Sequence, residues 1–212
     1  MRLHAAHFSL SLLTLVAALT LTACGGGLTS SPSTTTIAPP DPARPPVDIH
    51  WEAYQGFQLP IGAHDGPTRQ SPAASGYSHT PQGAALAAIN QNVRLTLAPD
   101  GAWPDIASES LMPGPAKDSW VLARAQISIT APANPAATAH IAGYKINTYT
   151  AARTDLTVYS TLSDNSILAT LLTVVWSADD WRFQLPDLNS KTNRNQSPAA
   201  FPTDMVKLEA PK

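Results

Sequence analysis

Residues 80–97 show the clearest helical pattern in the chain. Thr80 and Pro81 are residue types typical of a helix N-cap and of the first helical position. Apolar residues then recur at spacings of three and four, namely Leu86, Ile89, Val93 and Leu97. Alanines fill much of the remaining surface, so we expect a thin helix against which other elements can pack closely.

Two shorter helices are expected after this one, at residues 103–111 and 116–126, separated by Met112-Pro113-Gly114-Pro115. Residues 127–138 stay ambiguous, because the ISIT run suits a strand whereas APANPAA disfavours helix and strand alike. Residues 51–79 are rich in glycine, proline and aromatic residues without sustained periodicity, and we interpret them as an irregular lead-in.

From His140 onward the period of the pattern changes to two. Four β-rich runs follow, at residues 140–148, 155–162, 167–176 and 181–185, with turn-forming residues between them. In the last hairpin Trp176 and Trp181 are expected to lie directly opposite each other. We therefore predict an α+β fold, with N-terminal helices packed on a curved antiparallel sheet of about four strands.

The first 23 residues have the pattern of an export signal. Arg2 is followed by an uninterrupted run of apolar, Ser and Thr residues from Phe8 to Leu21. At about 1.5 Å per residue this run is too short to span a hydrocarbon core about 30 Å thick. Leu21-Thr22-Ala23-Cys24 resembles the lipobox of bacterial lipoprotein precursors. The resemblance implies cleavage after Ala23, acylation of Cys24, and attachment to the outer side of the cell membrane.

The remaining chain divides by composition. Residues 24–46 are rich in Ser, Thr and Pro, which predicts a disordered tether behind the lipidated cysteine. Residues 47–186 form the predicted globular domain, and residues 187–212 a mostly flexible C-terminal tail with a small apolar island around Met205. That island is interpreted either as packing on the domain or as a partner-binding segment.

Charge and cysteine content exclude some function classes. Charged residues make up only 13% of the chain and the net charge is -2, without the basic patch that nucleic-acid binding requires. The single cysteine leaves no partner for dithiol redox chemistry. We therefore expect no nucleic-acid partner, and a membrane attachment through Cys24 alone.

Several stretches resemble an uncharacterised family of actinobacterial exported proteins, often encoded with conjugation and mobile-element genes. They are Gly56-Phe57-Gln58-Leu59-Pro60, Gly66-Pro67, residues 76–85, Ala87-Ala88 and the segment from Trp176 to Trp181. The order of elements resembles the cystatin-like roll of nuclear transport factor 2. These resemblances imply a non-catalytic envelope module, accessory to a secretion or conjugation apparatus.

Some proteins with such a roll carry out proton transfer in its cavity. The candidates for that role here are His79, Asp105, Tyr144 and Asp155. No spacing pairs an acid with a base among them, and we assign no catalytic residue. Asp179-Asp180 is interpreted as a turn.

Metal and nucleophile sites are likewise not expected. His50, His64 and His140 lack the spacing of metal ligands. Ser71, Ser75 and Ser78 are interpreted as loop composition, since no nucleophile elbow or phosphate-binding loop is present.

The sequence thus predicts a lipid-anchored extracytoplasmic binding or accessory module, with an envelope protein as partner and without a cofactor. Two alternatives stay open: a small enzyme with a cavity-bearing roll, and a purely structural envelope lipoprotein.

Overall fold

A computed structural model describes residues 40–209 of the chain. The predicted signal peptide (residues 1–23), Cys24 and residues 24–39 of the predicted tether lie outside the described residues.

The first element is a β-hairpin that the sequence pattern did not reveal. Strands β1 (Ile49–Tyr54) and β2 (Phe57–Gly62) pair antiparallel along their whole length. The two turn residues, Gln55 and Gly56, have φ angles of 49° and 81°. Such turns match the twist of a hairpin, although Gln55 is an uncommon residue for this conformation. The prediction of an irregular lead-in was therefore wrong for residues 51–62.

Helix α1 (Pro81–Leu97) begins where the sequence predicted. The Oγ1 atom of Thr80 accepts a hydrogen bond from the backbone N–H of Gly83 at 3.0 Å, and Pro81 occupies the first helical position. The Thr80 side chain therefore satisfies one of the backbone N–H groups left free at a helix start.

Polar side chains of α1 are buried together with its apolar stripe, because other segments surround the helix. Asn90 donates to the Pro60 carbonyl at 2.9 Å, and Gln91 donates to the Trp181 carbonyl at 2.6 Å. Arg94 donates to the Gln70 carbonyl at 3.2 Å. These long polar residues bind the backbone of the segments that enclose α1, which the periodicity could not indicate.

Two further helices follow, α2 (Trp103–Ser110) and α3 (Pro115–Arg124). The rings of Trp103 and Trp120 meet edge to face, with centroids 6.2 Å apart. Arg124 fixes the end of α3 by donating to the carbonyls of Ala98, at 2.6 Å, and Ile127.

The main sheet contains six strands within the described residues: β3 (His140–Tyr149), β4 (Arg153–Thr161), β5 (Ile167–Ser177), β6 (Asp180–Phe183), β7 (Asn195–Gln196) and β8 (Val206–Lys207). Its order is β6-β5-β4-β3-β8, with β7 also paired to β5, and all of these pairs are antiparallel. Trp176 is paired with Trp181, as predicted. The inner face of this sheet packs against α1.

The predicted fold class was wrong. The helices lie in the middle of the chain, because β1 and β2 precede α1, and the main sheet has six strands in the described part of the chain instead of about four. Strands β7 and β8 are each only two residues long. Strands this short cannot show a period of two, so their pairing depends on tertiary contacts.

Strand β3 also departs from strict alternation. The register shifts between Ile141 and Gly143 and again between Ile146 and Thr148. These bulges leave Tyr144 packed in the main core on the inner face of the sheet. Ala142 lies on the opposite, outer face, where it packs in a small cluster that includes Tyr159. Ala142 and Tyr144 therefore lie on opposite faces of the sheet, whereas strict alternation would place both on the same face.

The C-terminal segment covers part of the outer face of the sheet. Met205 packs with Tyr159 and Ala169, and the ring of Phe201 meets that of Tyr159 at 6.4 Å. Asp204 forms an ion pair with Lys145 at 2.7 Å. The apolar island therefore packs on the globular domain, although it lies C-terminal to residue 186, the predicted end of that domain.

The N-terminal described residues are also attached to α1. The side-chain amide of Gln82 donates to the carbonyls of Asp41 and Arg44, at 2.9 and 2.7 Å. Between residues 40 and 209 no helix combines the length and apolar character that crossing a membrane requires.

Candidate functional site

An apolar cavity of about 360 Å³ lies between the second half of α1, the inner face of the sheet and residues 133–139. This volume is within the range of small-molecule binding pockets. The lining residues are Phe57, Ile89, Asn92, Val93, Thr96, Leu97, Ala133, Ala137, Thr138, Ala139, Ile141, Val158, Ser160, Leu168, Thr170 and Leu172. Small residues on one wall thus face large apolar residues on the others.

The sheet wall is formed by the inner-facing residues of β4 and β5. Val158 is paired with Thr170, and Ser160 with Leu168, so these four side chains occupy adjacent positions on the same face. Ile89 and Val93 of α1 face them, because the helical spacing of four places both on the same side. The helical stripe predicted from the sequence therefore lines this cavity as well as the core.

The third wall is the segment that the sequence left ambiguous. Residues 133–139 contain one 3₁₀ turn, Pro135–Ala137, and no strand. Ala133 donates its N–H to the Gln55 carbonyl at 3.0 Å, and Thr138 donates its hydroxyl to the Gly56 carbonyl at 3.3 Å. The β1–β2 turn therefore holds this wall in place.

Asp100 holds the preceding part of the same loop. Its carboxylate accepts hydrogen bonds from the Ser128 hydroxyl at 2.6 Å and from the Ile129 N–H at 2.8 Å. The Ser128 bond, followed by the Ile129 bond, lowers the pKa of Asp100 below its ordinary value of 3.8. With both ends of the loop fixed, the cavity is largely preformed.

The cavity lining contains no titratable side chain among the described residues. Its polar groups are the Asn92 amide and the hydroxyls of Thr96, Thr138, Ser160 and Thr170. Such groups can donate and accept hydrogen bonds, but they do not ionise near neutral pH. This cavity can therefore bind a molecule, but it offers no side chain for acid–base catalysis.

The four candidates for proton transfer are not brought together. His79 is exposed at the start of α1, where its ring stacks on Trp176 with centroids 3.8 Å apart and its Nε2 donates to the Ala151 carbonyl at 2.5 Å. Asp105 is exposed in the first turn of α2. Neither residue lines the cavity.

Tyr144 and Asp155 are also separate from the cavity lining. Tyr144 is fully buried, and burial, with a smaller contribution from the Asp65 charge, raises its pKa, so the phenol stays protonated. Asp155 binds Arg153 and Thr173 on the outer face. Burial acts to raise the pKa of Asp155, but these two hydrogen bonds outweigh it and the pKa is lowered.

Two of the histidines and one of the serines singled out in the sequence make local polar contacts. His50 contacts Glu52 at 3.0 Å and His64 lies 3.8 Å from Asp48, while the described residues contain no group of three metal-ligating side chains. The Ser78 hydroxyl donates to the buried carboxylate of Asp65 at 2.7 Å.

Asp180 has a structural role that the sequence did not reveal. Asp179 lies in a turn as predicted, with positive φ angles at Ala178 and Asp179, but Asp180 is the first residue of strand β6. The Asp180 carboxylate then accepts three backbone N–H bonds, from Gly76 at 2.7 Å, Tyr77 at 3.1 Å and Trp181 at 2.9 Å. This side chain joins the loop before α1 to the last hairpin.

A family model described as "Domain of unknown function (DUF8175)" matches residues 18–203. The chain belongs to this family. The DUF8175 match includes every residue that lines the cavity. No curated protein and no solved structure gives a significant match.

Proposed function

We propose that this DUF8175 protein is a lipid-anchored, non-catalytic binding module on the extracytoplasmic side of the cell membrane. The observation that carries the proposal is the apolar cavity, whose described lining contains no titratable group. Small-molecule sites are concave, mostly apolar and largely preformed, with a few polar groups. A cavity of about 360 Å³ with a mainly apolar lining and a loop wall held by hydrogen bonds fits that description.

The separation of the acid–base candidates supports the non-catalytic part of the proposal. A general acid or base must lie within hydrogen-bond reach of the reacting group. His79, Asp105, Tyr144 and Asp155 do not line the cavity, so a molecule bound there contacts none of them. A turnover that is lost in His79→Ala or Asp105→Asn would contradict a function without catalysis.

The lipid anchor is supported by the lipobox-like residues Leu21 to Cys24 and by the apolar run before them. Two acyl chains on Cys24 would give stable membrane attachment, which a single chain does not. We expect Cys24→Ser to abolish incorporation of a fatty-acid probe and to release the protein from membranes. Thr22→Ser, which keeps a small residue in the motif, is the matched control and should still be labelled. Equal labelling of wild type and Cys24→Ser would refute the anchor.

An envelope protein that supplies or collects the ligand is part of the same proposal. Such a partner would meet the domain at the open side of the cavity, where Thr96 and Ala137 are exposed. Photo-reactive residues at these two positions should trap one dominant envelope protein in intact cells, and a probe at the exposed turn residue Asn165 should not. Equal trapping from all three positions, or none from any, would contradict this partner.

An accessory role in a secretion or conjugation apparatus is proposed on the sequence resemblance alone. The crosslinking experiment tests this role, because the trapped protein should be a component of such an apparatus.

A further inference from the structure

The side chains that line the cavity indicate the chemical class of its ligand. We propose that it binds a small, uncharged, mainly apolar molecule that carries at least one hydrogen-bonding group. This inference rests on the proposed binding function and adds the ligand class to it.

The absence of charge follows from the lining. An ion moved from water into an apolar site is strongly destabilised unless a countercharge or several hydrogen bonds compensate it. Among the described residues that line the cavity, none is Asp, Glu, Lys, Arg or His. The site therefore discriminates against carboxylates, phosphates, sulfonates and protonated amines.

The hydrogen-bonding group follows from the position of the polar side chains. Ser160 and Thr170 lie on the sheet wall, and Asn92 lies on the opposite wall formed by α1. Their hydroxyl and amide groups face a common space and can serve either a donor or an acceptor. A molecule with one hydroxyl, carbonyl or neutral arylamine group can form a hydrogen bond with at least one of them, whereas a pure hydrocarbon forms none.

The size and walls indicate a small molecule instead of a folded partner. A volume of about 360 Å³ lies near the lower end of the small-molecule range. A stable protein interface is a larger and flatter surface, of about 800 Å² on each partner. The cavity of this protein is instead concave, and its walls are a helix, a sheet and a loop held by hydrogen bonds.

Two fluorescent probes with the same ring skeleton separate apolar binding from charge. N-phenyl-1-naphthylamine is neutral, and 1-anilinonaphthalene-8-sulfonate differs from it by one sulfonate. We expect the neutral probe to bind the purified protein at least tenfold more tightly than the sulfonate in a fluorescence titration. Equal affinity, or tighter binding of the sulfonate, would overturn the inference.

Two neighbouring alanines locate the site. Ala137 lines this cavity, whereas Ala136 lines a separate pocket on the other side of the same 3₁₀ turn, and both are exposed. Ala137→Trp should fill the cavity and weaken binding of the neutral probe at least tenfold, while Ala136→Trp should leave it unchanged. Thr96→Trp, on the helical wall, provides a second blocking variant if Ala137→Trp does not fold, as judged by thermal unfolding.

The outcomes distinguish this inference from the proposed function. If both probes bind equally and Ala137→Trp blocks both, the cavity is a binding site but the uncharged ligand class is wrong. If the neutral probe does not bind the wild-type protein, or binds both blocking variants as tightly as the wild type, the inference is overturned. The labelling and crosslinking experiments above then decide the proposed function independently.

Discussion

The two tryptophans of the last hairpin should differ in their contribution to stability, although they are directly paired. Trp181 is fully buried, and its Nε1 donates a hydrogen bond to the Ser78 carbonyl at 2.9 Å. Truncation of a buried aromatic side chain costs about 3–5 kcal/mol, because the lost transfer energy adds to the cost of the new cavity. Trp181→Ala should therefore lower the free energy of unfolding by about 4 kcal/mol.

Trp176 is only partly buried and stacks on the exposed ring of His79. Its truncation opens a surface that water can fill, so we expect Trp176→Ala to cost roughly 1–3 kcal/mol. Trp181→Phe keeps most of the apolar volume but leaves the Ser78 carbonyl without its donor, at a cost of about 1–3 kcal/mol. Trp181→Ala should thus be the most destabilising of the three variants, because it alone removes a fully buried ring.

The assay is chemical denaturation followed by far-ultraviolet circular dichroism, since five tryptophans would mix in the fluorescence signal. For a domain of this size, the Trp181→Ala cost corresponds to a fall in melting temperature of roughly 8–16 °C. A Trp176→Ala cost equal to or above that of Trp181→Ala would refute the placement of Trp181 in the core. An unchanged stability of Trp181→Phe would refute the hydrogen bond to Ser78.

Two further predictions concern the loop wall of the cavity. Gly56 has a φ of 81°, and a Cβ atom there would lie 2.1 Å from the Ala133 carbonyl oxygen. Gly56→Ala should therefore lower the free energy of unfolding by more than about 1 kcal/mol, measured by thermal unfolding. It should also make residues 133–139 more susceptible to proteolysis. Gly101→Ala, where nothing lies within 4 Å, is the control and should leave the wall resistant. The pKa of Asp100 is lowered in the folded state, so its ionised carboxylate stabilises the loop fully above about pH 4. This stabilisation should be lost as the pH falls through the lowered pKa. Hydrogen exchange at Ile129 should show this loss in wild type, and an Asp100→Asn variant with the same pH dependence would contradict the assignment.

The local features that the sequence determined are those that depend on neighbouring residues. Thr80-Pro81 and the spacing of Leu86, Ile89 and Val93 suffice for α1, since capping and helical periodicity act within a few residues. The facing of Trp176 and Trp181 likewise follows from a short turn between two alternating runs.

Features that depend on contacts between distant segments could be determined only from the tertiary structure. The β1–β2 hairpin brings Gly56 beside Ala133, and this contact turns an ambiguous stretch into a cavity wall. Strands β7 and β8 pair only because the C-terminal segment returns to the sheet. A two-residue strand has too few residues to show a hydrophobic period, and a cavity is formed by residues up to 115 positions apart, from Phe57 to Leu172. Composition identified these residues as apolar or small, but only the assembled walls show the concave space between them.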